Sequence, residues 1–221
     1  MGEYNANYLQ ELYDKIISRD ITYRYHIKYS QTLKKIAIYS HANLGCRLTF
    51  HKIKNVFDLT SIHTVKNYFQ YLTDAYLLSL FPAFSYKYKE QIRAPRKSYS
   101  IDNGLSCAIS PKFTQDRGMA LENLVFQELH RRNSSFSYYA TPDFEVDFVV
   151  HSQKQVTALI QVAFSLEDGV TKKRETKALL KAAKDLKCQN LIIITWDEEG
   201  SEEIDNYKIM VIPIWKWLLE I

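Results

Sequence analysis

The sequence predicts an α/β protein in two parts, a largely helical first part and a second part in which helices and strands alternate. Three observations carry this. Apolar residues recur at helical intervals from Tyr8 to Tyr76. After Leu78 the period drops to two with proline punctuation. Beyond Asp116, long helical runs alternate with short runs rich in Val, Ile and Phe.

The first run, YLQELYDKIISRDI, spaces Tyr8, Leu12, Ile16 and Ile17 as one apolar stripe of a helix that needs a partner to cover it. It forms an N-terminal helical arm over residues 1–28. LKKIAIYSHANLG repeats the period with Leu33, Ile36, Ala37 and Leu44, and Gly45 is the expected C-terminal stop. A short helix follows over residues 50–57. The next run offers Thr60 or Ser61 as N-cap and Val65, Tyr68, Phe69, Leu72, Ala75 and Tyr76 as its apolar face. SLFPAFSYKYKEQIRAPRKSYSID then reads as a β-hairpin.

Helix, helix, longer helix and hairpin is the order of a winged helix-turn-helix domain, placed at residues 29–101. In that architecture the third helix enters a DNA major groove and the hairpin touches the backbone. The third helix would expose His63, Lys66, Asn67, Gln70 and Tyr71, and the hairpin carries Lys87, Lys89, Arg93, Arg96 and Lys97 interleaved with tyrosines. These groups suit phosphates and base edges. Tyr86 and Tyr88 are positioned for stacking, although aromatic residues in such a hairpin more often serve packing. A spacer between proteins with a merely soluble basic loop is the competing reading.

From Asp116 the order is α-β-β-β-α-β-β-α, one compact α/β domain over residues 102–221. RGMALENLVFQELHRR is a helix with Leu121, Leu124, Val125 and Leu129 on its buried side and Glu122 one position off that stripe. FSYYAT, FEVDFVV and VTALIQVAF are strands, TKKRETKALLKAAKDLK is a long basic helix, NLIIITW and YKIMVIP are strands, and IWKWLLEI closes the chain as a helix.

The net charge of +4 hides an asymmetry: residues 1–112 hold 16 Lys+Arg against 8 Asp+Glu, and residues 113–221 hold 13 against 17. A basic half facing a polyanion and a second half with another task would give that split, as would chance over solvated faces. The longest apolar runs fall far short of the roughly 20 residues that cross a bilayer, so no membrane association is expected. The start of the chain lacks the basic and apolar regions of a signal peptide. Cys46, Cys107 and Cys188 lie far apart with no CxxC, which excludes a disulfide framework or zinc site and fits a reducing cytoplasm. Neither HExxH nor GxSxG occurs.

The acidic residues raise one catalytic question. A metal-dependent phosphodiesterase holds magnesium with several carboxylates and stabilises the phosphate charge with a lysine. Glu122 on its helix, Asp147 in one strand and position 161 in the next could converge. At these residues the chain resembles the restriction-endonuclease-like PD-(D/E)XK superfamily. More closely, it is similar along its whole length to the C-terminal region of a family of prokaryotic, especially archaeal, AAA-type ATPases, which joins a winged helix to that nuclease-like fold of unknown function. The stretches that carry the resemblance are YLQELYDKIISRDI, YLTDAYLL, KSYSIDNGL, GMALENLVFQEL, EVDFVV, LIQV and TKKRETKALLKA, in that order. It implies an αβββαβ nuclease-like core and an ATPase module acting in cis or in trans.

The chain departs from that pattern where chemistry is concentrated. A complete motif has an acid at 161 and a lysine at 163, and here stand Gln161 and Ala163. Glutamine offers a neutral carbonyl and alanine offers nothing, so Glu122, Asp147 and Gln161 are a weakened catalytic trio, and Asp147 and Glu122 a poor magnesium site. Lys172, Lys173, Arg174 or Lys177 of the following helix could supply the missing cation. In ordinary structural roles, Asp147 would fix the sheet to that helix and Glu122 would form a salt bridge to it. No GxxxxGK[ST] loop occurs, so the ATPase module is expected elsewhere, and the chain reads as a separated C-terminal region. The expected function is that of an accessory region: a winged helix binding DNA or a partner, beside an inactive nuclease-like domain with no cofactor. An active magnesium-dependent DNA nuclease with an atypical site and a pure protein-interaction module stay open as alternatives.

Overall fold

A computed structural model describes residues 3–110, 116–153 and 155–219, with the backbone only for residues 3–6. It is a mixed α/β chain that divides into two compact units. The first comprises residues 1–81 and 95–123, the second residues 82–94 and 124–221.

In the first unit, α1 (Glu3–Lys15) runs on into a π-helix (Ile16–Tyr23). Tyr13, Ile17 and Ile21 are buried, so the segment predicted as an arm contributes side chains to this unit's core. Helix α2 (Ser30–His41) buries Leu33, Ile36 and Ala37 and stops at Ala42, short of the expected glycine. Gly45 instead has a left-handed φ of +72° and sends its N–H to the carbonyl of Ser98. After β1 (Arg47–Leu48), Thr49 caps α3 (Phe50–Val56) and Ser61 caps α4 (Ile62–Asp74). On α4, Val65, Tyr68, Phe69 and Leu72 turn inward as the period requires. Tyr76 does not, because the chain takes a left-handed turn there and leaves its ring exposed. Tyr71, expected on the open face, is half-buried and stacks on Tyr25 with ring centroids 3.8 Å apart.

β2 (Leu78–Phe81) and β3 (Arg96–Ser100) pair antiparallel, as the alternation predicts, and β1 completes a small sheet of order β1-β3-β2. Their connection is not a simple hairpin turn. Residues 82–94 belong to the second unit, where Phe84 N–H donates to Tyr138 C=O and Tyr138 N–H to Pro82 C=O, and they include a short helix, α5 (Tyr88–Arg93). Helix α6 (Asn103–Ile109) is capped by Asp102 and packs on α1. Residues 102–123 therefore group with the first unit.

Helix α7 (Arg117–Arg131) starts in the first unit, where the Asn123 amide accepts from Ser100 N–H and donates to Ser100 C=O and to the Asn103 side chain. The second unit is a six-stranded sheet of order β4-β5-β6-β7-β9-β8. Its strands are β4 (Phe136–Ala140), β5 (Glu145–Ser152), β6 (Gln155–Val162), β7 (Leu191–Thr195), β8 (Gly200–Ile204) and β9 (Tyr207–Pro213). β4, β5 and β6 are antiparallel neighbours, β6-β7 and β7-β9 are parallel, and helix α8 (Gly169–Leu186) makes the crossover from β6 to β7. A crossover helix between parallel strands packs on one sheet face, which explains why Ala178, Leu179, Ala182 and Ala183 are buried. The acidic edge strand β8 escaped the sequence reading because GSEEI has no apolar alternation. Helix α9 (Ile214–Leu219) ends the described chain, and Glu220 and Ile221 of the predicted terminal helix lie outside it.

Candidate functional site

The acids singled out in the sequence are each committed to an internal partner. Glu122 belongs to the first unit. Its carboxylate accepts from Lys97 Nζ at 3.2 Å and Tyr99 OH at 2.5 Å, and it crowds Gly45, where an added Cβ would stand 2.7 Å from Oε1. The salt bridge expected toward the basic helix is thus made to β3. Lys97 is 1% exposed, so its place among backbone-binding residues is corrected: Lys97 to Ser100 are all buried in β3, and its ammonium pairs with Glu122.

In the second unit, Asp147 and Gln161 face each other where the β5–β6 ladder ends at Phe148 and Ile160. Past that point side chains replace the backbone pairing. Gln161 Oε1 accepts from Asp147 N–H at 2.7 Å, and Asp147 Oδ2 accepts from Val162 N–H at 3.1 Å. Gln161 Nε2 donates to Glu145 C=O at 3.1 Å and to Glu175 Oε2 at 2.5 Å. Gln161 is 3% exposed and both ends of its amide are used, as burial of an amide demands. Glu175, on α8, is the residue the sequence reading missed. It is buried, and Arg174 grips its other oxygen through Nε and Nη2. A signal existed, since Glu175 stands in register with Ala178, Leu179 and Ala182 on the apolar stripe of an otherwise basic helix.

This arrangement does not fit a magnesium centre. Among the described residues, no group of three His, Cys, Asp or Glu side chains is placed to hold a metal ion. Ala163 is 6% exposed within the apolar cluster that includes Leu179 and Ala183, so even the position of the missing lysine is built as core. Arg174 is taken by Glu175 and Lys172 by Glu202 of β8, which removes two of the cations that might have substituted.

The polar face of α4 is open. His63, Lys66, Asn67 and Gln70 are exposed and recur at i, i+3, i+4 and i+7, one stripe of the helix. Gln70 donates to Asp74 at 2.8 Å. The basic residues of the connection are divided between the units: Lys87, Lys89 and Arg93 stand exposed in the second, with Lys87 paired to Glu90, while Arg96 is half-buried in β3 of the first.

Fold and contacts together define a two-unit α/β chain in which Glu122, Asp147 and Glu175 are internally bonded and α4 leaves His63, Lys66, Asn67 and Gln70 open. The chain belongs to the family described as Domain of unknown function (DUF8612), whose model matches residues 2–116, and residues 117–217 match Domain of unknown function (DUF4143). Over 225 residues it is 37% identical to an uncharacterized protein, MJ1544, of Methanocaldococcus jannaschii, covering 96% of this chain and 49% of that protein. An uncharacterized protein of Haemophilus influenzae is 29% identical over 216 residues, covering 96% of this chain and 52% of its own length. The chain therefore spans about half the length of the curated relatives it matches. No solved structure matches it significantly. Among the described residues, no helix is long and apolar enough to cross a membrane.

Proposed function

We propose that this chain is the C-terminal accessory region of an AAA-type ATPase, in which a winged helix binds duplex DNA through α4 and a nuclease-like unit serves without cutting. The observation that carries the reading is the open stripe His63, Lys66, Asn67 and Gln70 on the third helix of a helix-strand-helix-helix-strand-strand unit with sheet order β1-β3-β2. That order is the one in which the third helix meets the major groove. Lysine suits phosphate there, and two amides suit the N6/N7 edge of adenine. The ATPase module comes from the resemblance, and the relatives' extra length leaves room for it.

Non-catalytic use of the second unit is supported by Gln161, whose amide accepts from Asp147 N–H and donates to the Glu175 carboxylate. The test is retention of a labelled duplex by the full chain across a salt series, with and without magnesium. Retention without cleavage is expected, and Lys66→Gln should lower the slope of log K against log salt by about 0.9, one phosphate contact. No retention at low salt would leave a protein-interaction module. Magnesium-dependent cleavage that vanishes in Asp147→Ala would replace the reading with an active nuclease.

A further inference from the structure

Helix α8 concentrates positive charge in a half of the chain that is otherwise acidic. Of the 13 Lys+Arg in residues 113–221, Lys172, Lys173, Arg174, Lys177, Lys181 and Lys184 all fall on this one helix. Their engagements differ. Arg174 is held by Glu175, Lys172 by Glu202 at 3.2 Å, Lys184 by Asp205 at 3.2 Å, and Lys181 lies over the Phe144 ring. Lys173 and Lys177 are exposed and not engaged among the described residues. The helix and β8 enclose an open groove of about 480 Å³, with Leu180 and Ile204 among its lining residues.

We infer that this groove binds the sugar–phosphate backbone of a nucleic acid strand, as a site separate from the α4 stripe and independent of it. Lys173, Lys177 and Lys181 follow one another at i, i+4 and i+8, so their stems rise in steps of about 6 Å along a single line. A solvated helix face ordinarily alternates sign at this spacing, because like charges at i, i+4 repel. Here two successive like-charged pairs stand together. Glu202 of β8 and Asp205 just beyond it pair with Lys172 and Lys184, toward the ends of the row, and leave Lys173 and Lys177 between them without an acidic partner among the described residues. An anion with repeating charge relieves that repulsion, whereas a single small anion meets only part of the row. The groove's cations are all lysines, point charges without the rigid fork that reads a base edge, and its apolar lining can seat sugar edges. The contact is therefore independent of sequence.

The experiment compares the full chain with a Lys173→Gln, Lys177→Gln, Lys181→Gln triple variant in binding a labelled duplex across a salt series. Lys173 and Lys177 are exposed and Lys181 is partly buried over Phe144, so a matching triple Lys→Arg variant controls for packing. The expected result is weaker binding to duplexes of unrelated sequence and a slope of log K against log salt reduced by up to about 0.9 for each lysine removed, with binding restored in the arginine variant. Unchanged affinity and slope in the glutamine variant would overturn the inference. So would an equal loss in the arginine variant, which would trace the effect to packing. Binding of long-chain inorganic polyphosphate without any binding of the duplex would also overturn the assignment to nucleic acid. Lys66→Gln on α4, measured in parallel, reports on the proposed winged-helix contact separately.

Discussion

Replacing Gln161 by the acid that a complete nuclease motif would carry should destabilise the second unit in a pH-dependent way. Gln161→Glu keeps the oxygen that accepts from Asp147 N–H but deletes the two donated bonds, to Glu145 C=O at 3.1 Å and to Glu175 Oε2 at 2.5 Å. Two carboxylates then face each other in a site where Gln161 is 3% exposed. Unit charges about 4 Å apart near a protein surface repel by about 4 kcal/mol. The alternative is to protonate the introduced carboxyl, which at pH 7 costs about 3.7 kcal/mol against an ordinary glutamate value near 4.3. The smaller of the two sets the penalty, so about 3 to 4 kcal/mol is expected at pH 7. The native variant then holds a proton that its unfolded chain has released, so its stability falls as pH rises above about 4.3, by up to about 1.4 kcal/mol per pH unit. At pH 5 only about 1 kcal/mol should remain. Urea unfolding of wild type and variant between pH 5 and pH 8, without divalent cations, measures this directly. A difference that is flat over that range, or below about 1 kcal/mol at pH 8, would refute the reasoning and show that Glu175 can turn away.

Other consequences are read in the first unit. His41 is fully buried, with Nδ1 3.0 Å from Ser106 Oγ and Tyr13 edge-on to its ring, and burial holds its pKa down at about 4. Because the unfolded histidine takes its proton near 6.5, stability should be lost as pH falls from about 6.5 to 4, by about 3 kcal/mol, and His41→Phe should flatten that part of the stability–pH curve. Gly45→Ala meets both a left-handed φ and the Glu122 carboxylate and should cost about 2 to 3 kcal/mol in urea unfolding; a cost under about 1 would mean that Glu122 swings aside freely. Lys97→Met removes the charge partner of Glu122, to which Tyr99 OH still donates, and should cost about 3 kcal/mol while leaving the salt slope of duplex binding unchanged, whereas a reduced slope would return Lys97 to the DNA surface. Asn123→Leu removes three bonds that join α7 to Ser100 and Asn103 and should lower the melting temperature by an amount matching about 3 kcal/mol, a loss that Asn123→Asp should only partly avoid.

The sequence by itself made most of the helices and strands legible, since it gives α1 to α4, α7 and α8 and strands β2 to β6 and β9 a local pattern and makes β7 an unbroken apolar run. It also determined that position 161 carries no charge and that α4 presents His63, Lys66, Asn67 and Gln70 on one stripe, because a stripe is a property of one helix. It missed β1, β8 and α6, whose short sequences carry no period, read α5 as part of a hairpin, and carried Tyr76 past the end of its helix. What each polar side chain is spent on was settled only by the tertiary structure. Glu122 lies 25 residues from Lys97 in sequence and 77 from Gly45, and Gln161 lies 14 from Glu175, so no periodicity links these groups. The same holds for Lys97, exposed by composition and buried by its partner. Secondary structure follows from neighbours along the chain, whereas the burial of a charge depends on which distant group arrives to satisfy it.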